Sequence, residues 1–344
     1  VSIRQASPGL AVVTGGAGFI GSHLVDRLLA DGHRVRVIDN FACGSPANLA
    51  QHREDPRLAV HQVDVTDATA LGPLMEGAEW VFHLAALADI VPSIEQPMAY
   101  HQANVEGTLR VLEAARAAGV RRFLYAASSS CYGLPDVVPT PEEAPIRPMY
   151  PYALTKTVGE QYVNHWHRVY GLPTVCLRLF NVYGPRVRTR GTYGAVFGVF
   201  MAQKLAGEPF TVVGDGTQTR DFTYVTDVAD AFVRAAQSDL VGEVMNVGSG
   251  RTESVNRLVE LLDGPVVHVP KRPGEPDCTF ADTRRIEARL GWRAQVPFAE
   301  GVAEMLAHIE AWRDAPLWTP ESIAEATRTW FNHLGRAEGA GGQP

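Results

Sequence analysis

The feature that most constrains this chain is the rhythm of its first half. Short apolar runs at Leu10–Thr14, Arg34–Ile38, Leu58–Val63, Trp80–Ala85 and Phe123–Ala126 alternate with helical patterns, clearest at Ile20–Ala30 and Asn104–Ala118. Buried strands separated by helices read as βαβ units, whose crossovers place helices on both faces of a parallel sheet. The rhythm continues with a helix near Tyr152–Tyr170 and a strand at Thr174–Leu179. After about Gly184 the elements shorten, and prolines cluster around Pro265–Pro276. The expected fold is therefore α/β: a Rossmann-like, doubly wound parallel sheet with a smaller C-terminal α/β lobe. The expected division is residues 1–179 for the sheet domain and 180–334 for the lobe, with some lobe segments returning to the first domain. Residues 335–344 are expected to form a tail, Gly/Ala-rich from Ala337 onward and frayed.

Composition narrows the possible functions. Hydrophobic residues make up 46% of the 344, and charged residues 20%, which excludes a disordered chain. The net charge is −7 with no basic run, so nucleic-acid binding is not expected. No stretch approaches the ~18 apolar residues of a membrane span, and no basic-then-apolar leader opens the chain. The four cysteines, Cys43, Cys131, Cys176 and Cys278, are widely spaced and form no CxxC, as expected of a reducing cytoplasm. His165 and His167, two apart on a helix, face different directions and make no metal pair.

Thr14-Gly15-Gly16-Ala17-Gly18-Phe19-Ile20-Gly21 follows the first strand and opens the first helix. Its glycines at 15, 18 and 21 meet the demands of a pyrophosphate site: a tight turn, close backbone amides and a helix packed hard on the sheet. Asp39 ends the second strand, 18 residues after Gly21, where a carboxylate accepts from ribose hydroxyls and repels a 2′-phosphate. NAD is thus expected over NADP, with Asp39 a strand-end residue near the surface. Asp64-Val65 closes the third strand beside the adenine edge, and His83-Leu84-Ala85-Ala86 closes the fourth with small residues against the cofactor. Tyr152-Ala-Leu-Thr-Lys156 is YxxxK; residues four apart share a helix face, which sets the ammonium beside the phenol. A neighbouring cation brings a phenol, ordinarily titrating near 10, towards the range of a useful base. Ser128, 24 residues upstream, can complete a hydrogen-bond relay to a sugar oxygen.

The ordered set GxxGxxG, Asp39, HLAA, Ser128–Ser130 with CysTyrGly, YxxxK and Arg178-Leu-Phe-Asn-Val-Tyr-Gly-Pro-Arg186 resembles the extended short-chain dehydrogenase/reductases. The closer likeness is to the NAD-dependent nucleotide-sugar epimerases and dehydratases, particularly UDP-sugar 4-epimerases. It runs from about Leu10 to Trp312, through Thr219-Arg-Asp-Phe-Thr-Tyr-Val-Thr-Asp227 and Lys271-Arg-Pro-Gly-Glu275. The resemblance implies a catalytic triad of Ser128, Tyr152 and Lys156. It implies NAD contacts from Gly15, Gly18, Phe19, Ile20, Gly21, Asp39, Asn40, Asp64, Val65, Leu84, Ala85, Ala86, Asn104, Tyr152 and Lys156. Substrate contacts fall on Ser128, Ser129, Ser130, Asn181, Val196, Arg220, Arg272, Glu275 and Thr279, with the arginine forks suited to a diphosphate. It also implies a homodimer, paired through the helices near Asn104–Ala118 and Tyr152–Tyr170.

These enzymes share an opening step, in which the tyrosine takes the 4-hydroxyl proton as hydride leaves C4. The related 4,6-dehydratases carry an Asp-Glu pair directly after the triad Ser/Thr, and the UDP-xylose-forming decarboxylases have Glu two places after it. Here those positions hold Ser129 and Ser130, and a serine hydroxyl cannot replace a carboxylate base without special activation. The expectation is 4-epimerisation of an NDP-sugar, UDP being the likelier nucleotide by family frequency. The alternatives are a dehydratase or decarboxylase using an acid from elsewhere, or a non-catalytic NAD-binding regulator, which would not need the intact triad. Several positions depart from the family pattern. Cys131 stands where an apolar residue is usual and reads as a small buried hydrophobe. Ala88–Ser93 lacks an arginine often found in such epimerases. Thr279 is small where side-chain size limits the sugar's substituents, which suggests room for an N-acetyl group. Asn181 stands where glucuronate epimerases often have Thr. The arginine loop Arg186–Arg190 reads equally as a diphosphate contact or a solvated loop. Thr319–Leu334 reads as a capped helix past the usual family end, with Ile323, Ala326, Trp330 and Leu334 along one face and a packing or oligomer role.

Overall fold

The structure is a computed structural model that describes residues 8–187 and 196–340, with side chains described as far as 335. Arg188 and Arg190 of the arginine loop, and the expected tail side chains from Ala337, lie outside the described residues. The sheet domain runs β1 (Leu10–Thr14), α1 (Phe19–Ala30), β2 (Arg34–Asp39), β3 (Leu58–Gln62), α2 (Ala68–Met75), β4 (Trp80–His83), α3 (Ile90–Glu95), α4 (Pro97–His101), α5 (Gly107–Ala117), β5 (Arg122–Ser128), α6 (Pro151–Tyr170) and β6 (Thr174–Leu179). The lobe follows with β7 (Val182–Tyr183), α7 (Val196–Ala206), β8 (Phe210–Val213), β9 (Thr219–Arg220), β10 (Thr223–Tyr224) and α8 (Val225–Gln237). The remaining elements are β11 (Glu243–Val247), β12 (Glu253–Ser254), α9 (Val255–Leu262), β13 (Val266–Val269), β14 (Cys278–Thr279), α10 (Arg284–Leu290), α11 (Phe298–Ala307) and α12 (Pro320–Ala340).

Seven strands form one parallel sheet in the order β11-β6-β5-β4-β1-β2-β3. Strand order reverses between β1 and β4, and the crevice outside the carboxyl ends at such a switch point is where doubly wound sheets bind ligands. Both faces are covered. Leu24 and Leu28 of α1 pack with Val228 and Phe232 of α8 against Val13 and Phe82 on one side. Val111 and Leu112 of α5 pack with Val163 and Trp166 of α6 against Val12 and Phe123 on the other. This two-sided burial explains why the strands read as continuous apolar runs rather than alternating ones.

Among the described residues the lobe has no comparable sheet. Its strands pair as β7 with β10, β8 with β13, and β9 between β12 and β14. Aromatic side chains supply the core instead, with Tyr183 stacked on Phe197 at 4.6 Å and Phe222 on Phe298 at 5.1 Å between ring centroids. Large rings fill a small volume with much apolar area, which suits a lobe built from strands of two to four residues. No described helix is long and apolar enough to cross a membrane.

Candidate active site

The turn after β1 is shaped for close backbone approach. Gly15 has φ +70°, and a Cβ there would meet the Ala85 nitrogen at 2.7 Å. A Cβ at Gly21 would lie 2.1 Å from the Gly15 carbonyl oxygen, so only glycine lets α1 start against the turn. The unpaired amides at the N-terminus of α1 open onto a cleft of about 660 Å³. Gly15, Gly18, Phe19, Ile20, Gly21, Asp39, Asn40, Asp64, Val65, Leu84, Ala85 and Ala86 all lie on its wall. These residues fit a dinucleotide: a side-chain-free turn at a helix N-terminus, with a carboxylate at the end of β2.

Asp39 differs from expectation. It is 6% exposed, not a surface residue, and accepts from the Ala17 amide at 3.0 Å and the Phe41 amide at 2.8 Å. It therefore pins the glycine turn as well as facing the cofactor, and burial raises its carboxyl above the ordinary value despite those two bonds. Asp64 is held by Asn40 Nδ2 at 2.7 Å and by the Thr66 amide and hydroxyl. His83 is fully buried between the Thr14 and Thr108 hydroxyls, and burial pushes its imidazole down to about 3, keeping it neutral.

Asn104 also needs correction. It is 1% exposed and off the cleft wall, in a π-helical turn (Gln102–Glu106) leading into α5. Its side chain accepts from the Leu87 amide at 2.8 Å and donates to the Leu87 carbonyl at 2.9 Å and Thr155 Oγ1 at 3.0 Å. Both amide hydrogens are thereby used. Asn104 shapes the loop after β4 and ties it to α6.

Tyr152 lies on the cleft wall in the first turn of α6. Burial pushes its phenol above the ordinary value, a hydrogen bond with Ser128 pulls it down, and the charges of Asp89 and Cys131 push it up. Ser128 ends β5 and caps the short 3-10 turn Ser129–Tyr132; its hydroxyl is 2.8 Å from that of Ser130. The Lys156 ammonium lies over the Tyr125 ring, 4.2 Å from its centroid. It is 5% exposed, and burial lowers it to about 7. Ser128, Ser129 and Ser130 are half-buried at the end of β5, where Ser128 is within hydrogen-bond reach of Tyr152. Cys131 is buried, and burial pushes its thiol up to about 12, which leaves it inert as a nucleophile.

The lobe side of the cleft carries Asn181, Val196, Arg220, Arg272 and Glu275. Arg220 Nη2 donates to Glu275 Oε1 at 2.9 Å, and Arg272 Nε stands 2.8 Å from Oε2 of the same carboxylate. Two guanidinium forks on one carboxylate leave net positive charge facing the cleft, suited to a diphosphate. Thr279 is off the wall but donates to Asn181 Oδ1 at 2.6 Å. Arg186 of the arginine loop, at φ +66°, pairs with Asp26 of α1 at 2.7 Å, joining lobe to sheet domain rather than facing a diphosphate. Among the wall residues that the sequence reading did not assign to the site are Asp89, Tyr150, which stacks on Tyr152 with centroids 6.4 Å apart, and Trp330. A Tyr two places before YxxxK carries no local signal, and Trp330 lies far along the chain.

A family model for the NAD dependent epimerase/dehydratase family matches residues 11–248, more than half of the chain. The chain belongs to that family. A UDP-glucose 4-epimerase of Mycolicibacterium smegmatis is 41% identical over 302 residues, 85% of this chain and 96% of that protein. Among solved structures, the UDP-N-acetylglucosamine 4-epimerase of Methanobrevibacter ruminantium M1 superposes with a TM-score of 0.84 at 34% identity, covering 89% of this chain and 99% of that one. The UDP-glucuronic acid 4-epimerase of Bacillus cereus, solved with UDP-glucuronic acid and NAD, gives 0.82 at 31% identity, covering 88% and 99%. This family member is an enzyme, and its cofactor is NAD, which the glycine turn and Asp39 fit.

Proposed function

We propose that the chain is an NDP-sugar 4-epimerase, with a UDP-sugar as substrate. One observation carries this choice within the family. The two positions after Ser128 are Ser129 and Ser130, and Ser130 is engaged by the Ser128 hydroxyl at 2.8 Å and by Tyr150. No carboxylate stands there to take a C5 proton or protonate a departing group. Bound NAD supplies a hydride acceptor that returns the hydride to the same carbon.

Ser128 and Tyr152 hold the sugar's 4-hydroxyl, and Tyr152 takes its proton. Lys156, buried one helical turn along α6, would supply a cation that favours the phenolate. Arg220 and Arg272 bind the diphosphate in exchange for part of their pairing with Glu275. While the diphosphate stays clamped, the 4-keto sugar turns over and presents its other face. The small Thr279 leaves room for a bulky substituent, and Asn181 accepts from it at 2.6 Å. The sheet domain, residues 1–179, serves mainly the cofactor, and residues 180–334 serve mainly the substrate. A homodimer would form through α5 and α6, where Leu154 (51% exposed) and Val169 (55% exposed) lie on an uncovered face. A cytoplasmic location fits four free cysteines.

Elimination chemistry, as in a dehydratase or decarboxylase, is kept as a second reading by Asp89, a carboxylate on the cleft wall whose charge reaches Tyr152. Isotopes separate the two. A substrate deuterated at C4 should give a C4-epimer with its label still on C4. Turnover in deuterated water should leave C5 unlabelled. Release of a 4-keto-6-deoxy sugar carrying solvent deuterium at C5 would overturn the epimerase reading.

A further inference from the structure

The C-terminal segment forms part of the cleft wall. The resemblance in sequence ends near Trp312, and the solved relatives are covered almost whole by about nine-tenths of this chain. Beyond Trp312 the chain runs along the mouth of the cleft. At one end the Trp318 carbonyl accepts from Gln203 Nε2 at 2.7 Å, and Ala315, Pro316 and Trp318 line the pocket beside Thr211 and Val213. At the other end α12 reaches the sheet domain, where Thr329 Oγ1 donates to Glu95 of α3 at 2.9 Å.

Next to the second anchor, Trp330 lines the site. It is 4% exposed, its indole N–H donates to the Pro273 carbonyl at 2.8 Å, and its ring lies 5.2 Å from the Arg272 guanidinium carbon. Tyr150 packs against the same ring with centroids 6.4 Å apart, and Tyr150 in turn stacks on Tyr152. Trp330 thus joins the arginine–glutamate cluster to the tyrosine pair. Its Pro273 bond holds the backbone next to Arg272, and its face fixes the plane of the guanidinium.

We propose that Trp330, on the C-terminal helix, is a substrate-positioning residue that orients Arg272 towards the diphosphate of the nucleotide sugar and closes the cleft over it. This rests on the nucleotide-sugar reading above. A planar fork recognises phosphate oxygens only in the right orientation, and an aromatic face on its flank removes rotational freedom before the ligand arrives.

The test uses the full chain with Trp330→Leu, which keeps apolar bulk but removes the π face, and Trp330→Phe, which restores an aromatic face. Calorimetry with UDP reads the diphosphate contact, and steady-state turnover of the nucleotide sugar separates KM from kcat. In Trp330→Leu, UDP affinity should fall and KM should rise, each by about tenfold, with kcat changed by less than about threefold and NAD affinity unchanged. Trp330→Phe should recover most of both. Phe331→Ala, at an exposed position on the other side of α12, should match wild type. A lowered melting temperature with unchanged UDP affinity and KM would overturn the proposal, since packing alone would explain it. Equal weakening in the Leu and Phe variants would overturn it too. Wild-type protein that binds UDP but converts no nucleotide sugar would sink the epimerase reading and leave the Trp330 measurement standing. Failure of wild type to bind UDP would overturn both.

Discussion

The two walls of the cleft recognise charge by opposite strategies. On the sheet-domain side one contiguous turn, Gly15 to Gly21, offers backbone amides, and Asp39 holds that turn in place through Ala17. On the lobe side Arg220 comes from β9, Arg272 and Glu275 from the loop after β13, and Trp330 from α12. The first wall is built from backbone amides and, among the described residues, presents no lysine or arginine to the cleft. The second keeps its cations partly neutralised on Glu275 until a ligand competes for them. A cofactor retained through successive turnovers suits a rigid backbone cradle, whereas a substrate that must enter and leave suits exchangeable ion pairs. The seam between the walls is the start of α6, where Tyr150 faces the lobe and Tyr152 the chemistry.

The hardest break falls on that seam. Tyr152→Phe keeps the ring and its stack on Tyr150 while deleting the ionisable oxygen. Turnover should fall about a hundredfold or more, with UDP and NAD affinities within a few-fold of wild type. Near-normal turnover in this variant would show that another group moves the proton and that both walls merely hold substrate beside it.

Lys156 sharpens the comparison, because among the described residues it is a cation buried within the sheet domain without a carboxylate bonded to it in the way Glu275 is to the arginines. Its ammonium is buried against Tyr125 and lowered to about 7, far below 10.5. Between pH 7 and 10.5 the unfolded chain holds a proton that the folded chain has released, so stability rises with pH across that window. Below about 7 both states bind the proton and the full cost of burying it is present. Lys156→Met should therefore stabilise NAD-free protein by on the order of 3 kcal/mol at pH 6, with the gain shrinking towards pH 10. The same variant should lose most of its activity. Denaturant melts of wild type and variant at several pH values measure this; a gain independent of pH would mean that the lysine's charge is not the cause.

The contrast between the walls also explains what could be read from the sequence. The sheet was legible because two-sided burial makes its inner strands apolar runs: β1 and β6 match their expected spans, and β5 extends the expected Phe123–Ala126 by one residue before and two after. The glycine turn was legible because backbone geometry there excludes other residues. The lobe's site was legible only through motifs resembling a family, since Arg220, Arg272 and Trp330 meet across more than a hundred residues of chain. The resemblance also named Asn104 without showing what its side chain holds. Nothing local announces that an asparagine will bind the backbone of Leu87.

The gentlest test probes the sheet-domain wall itself. Asp39 was expected near the surface, where truncation costs little, yet it is buried with two backbone amides on its carboxylate. Asp39→Ala leaves the Ala17 and Phe41 amides without that acceptor, a loss of about 1–3 kcal/mol for buried donors. The melting temperature should fall accordingly, and saturating NAD should recover part of the loss, since a ligand that binds only the folded state stabilises it. The same substitution removes the anion that repels a 2′-phosphate, so the preference for NAD over NADP should narrow. Both effects should appear together in one variant: melts with and without NAD read the first, and paired cofactor titrations read the second. An unchanged melting temperature with a narrowed preference would mean that Asp39 only faces the ribose and that the turn holds its own shape. Equal NAD and NADP affinities in wild type would remove Asp39 from cofactor selection altogether, leaving it as a brace for the glycine turn.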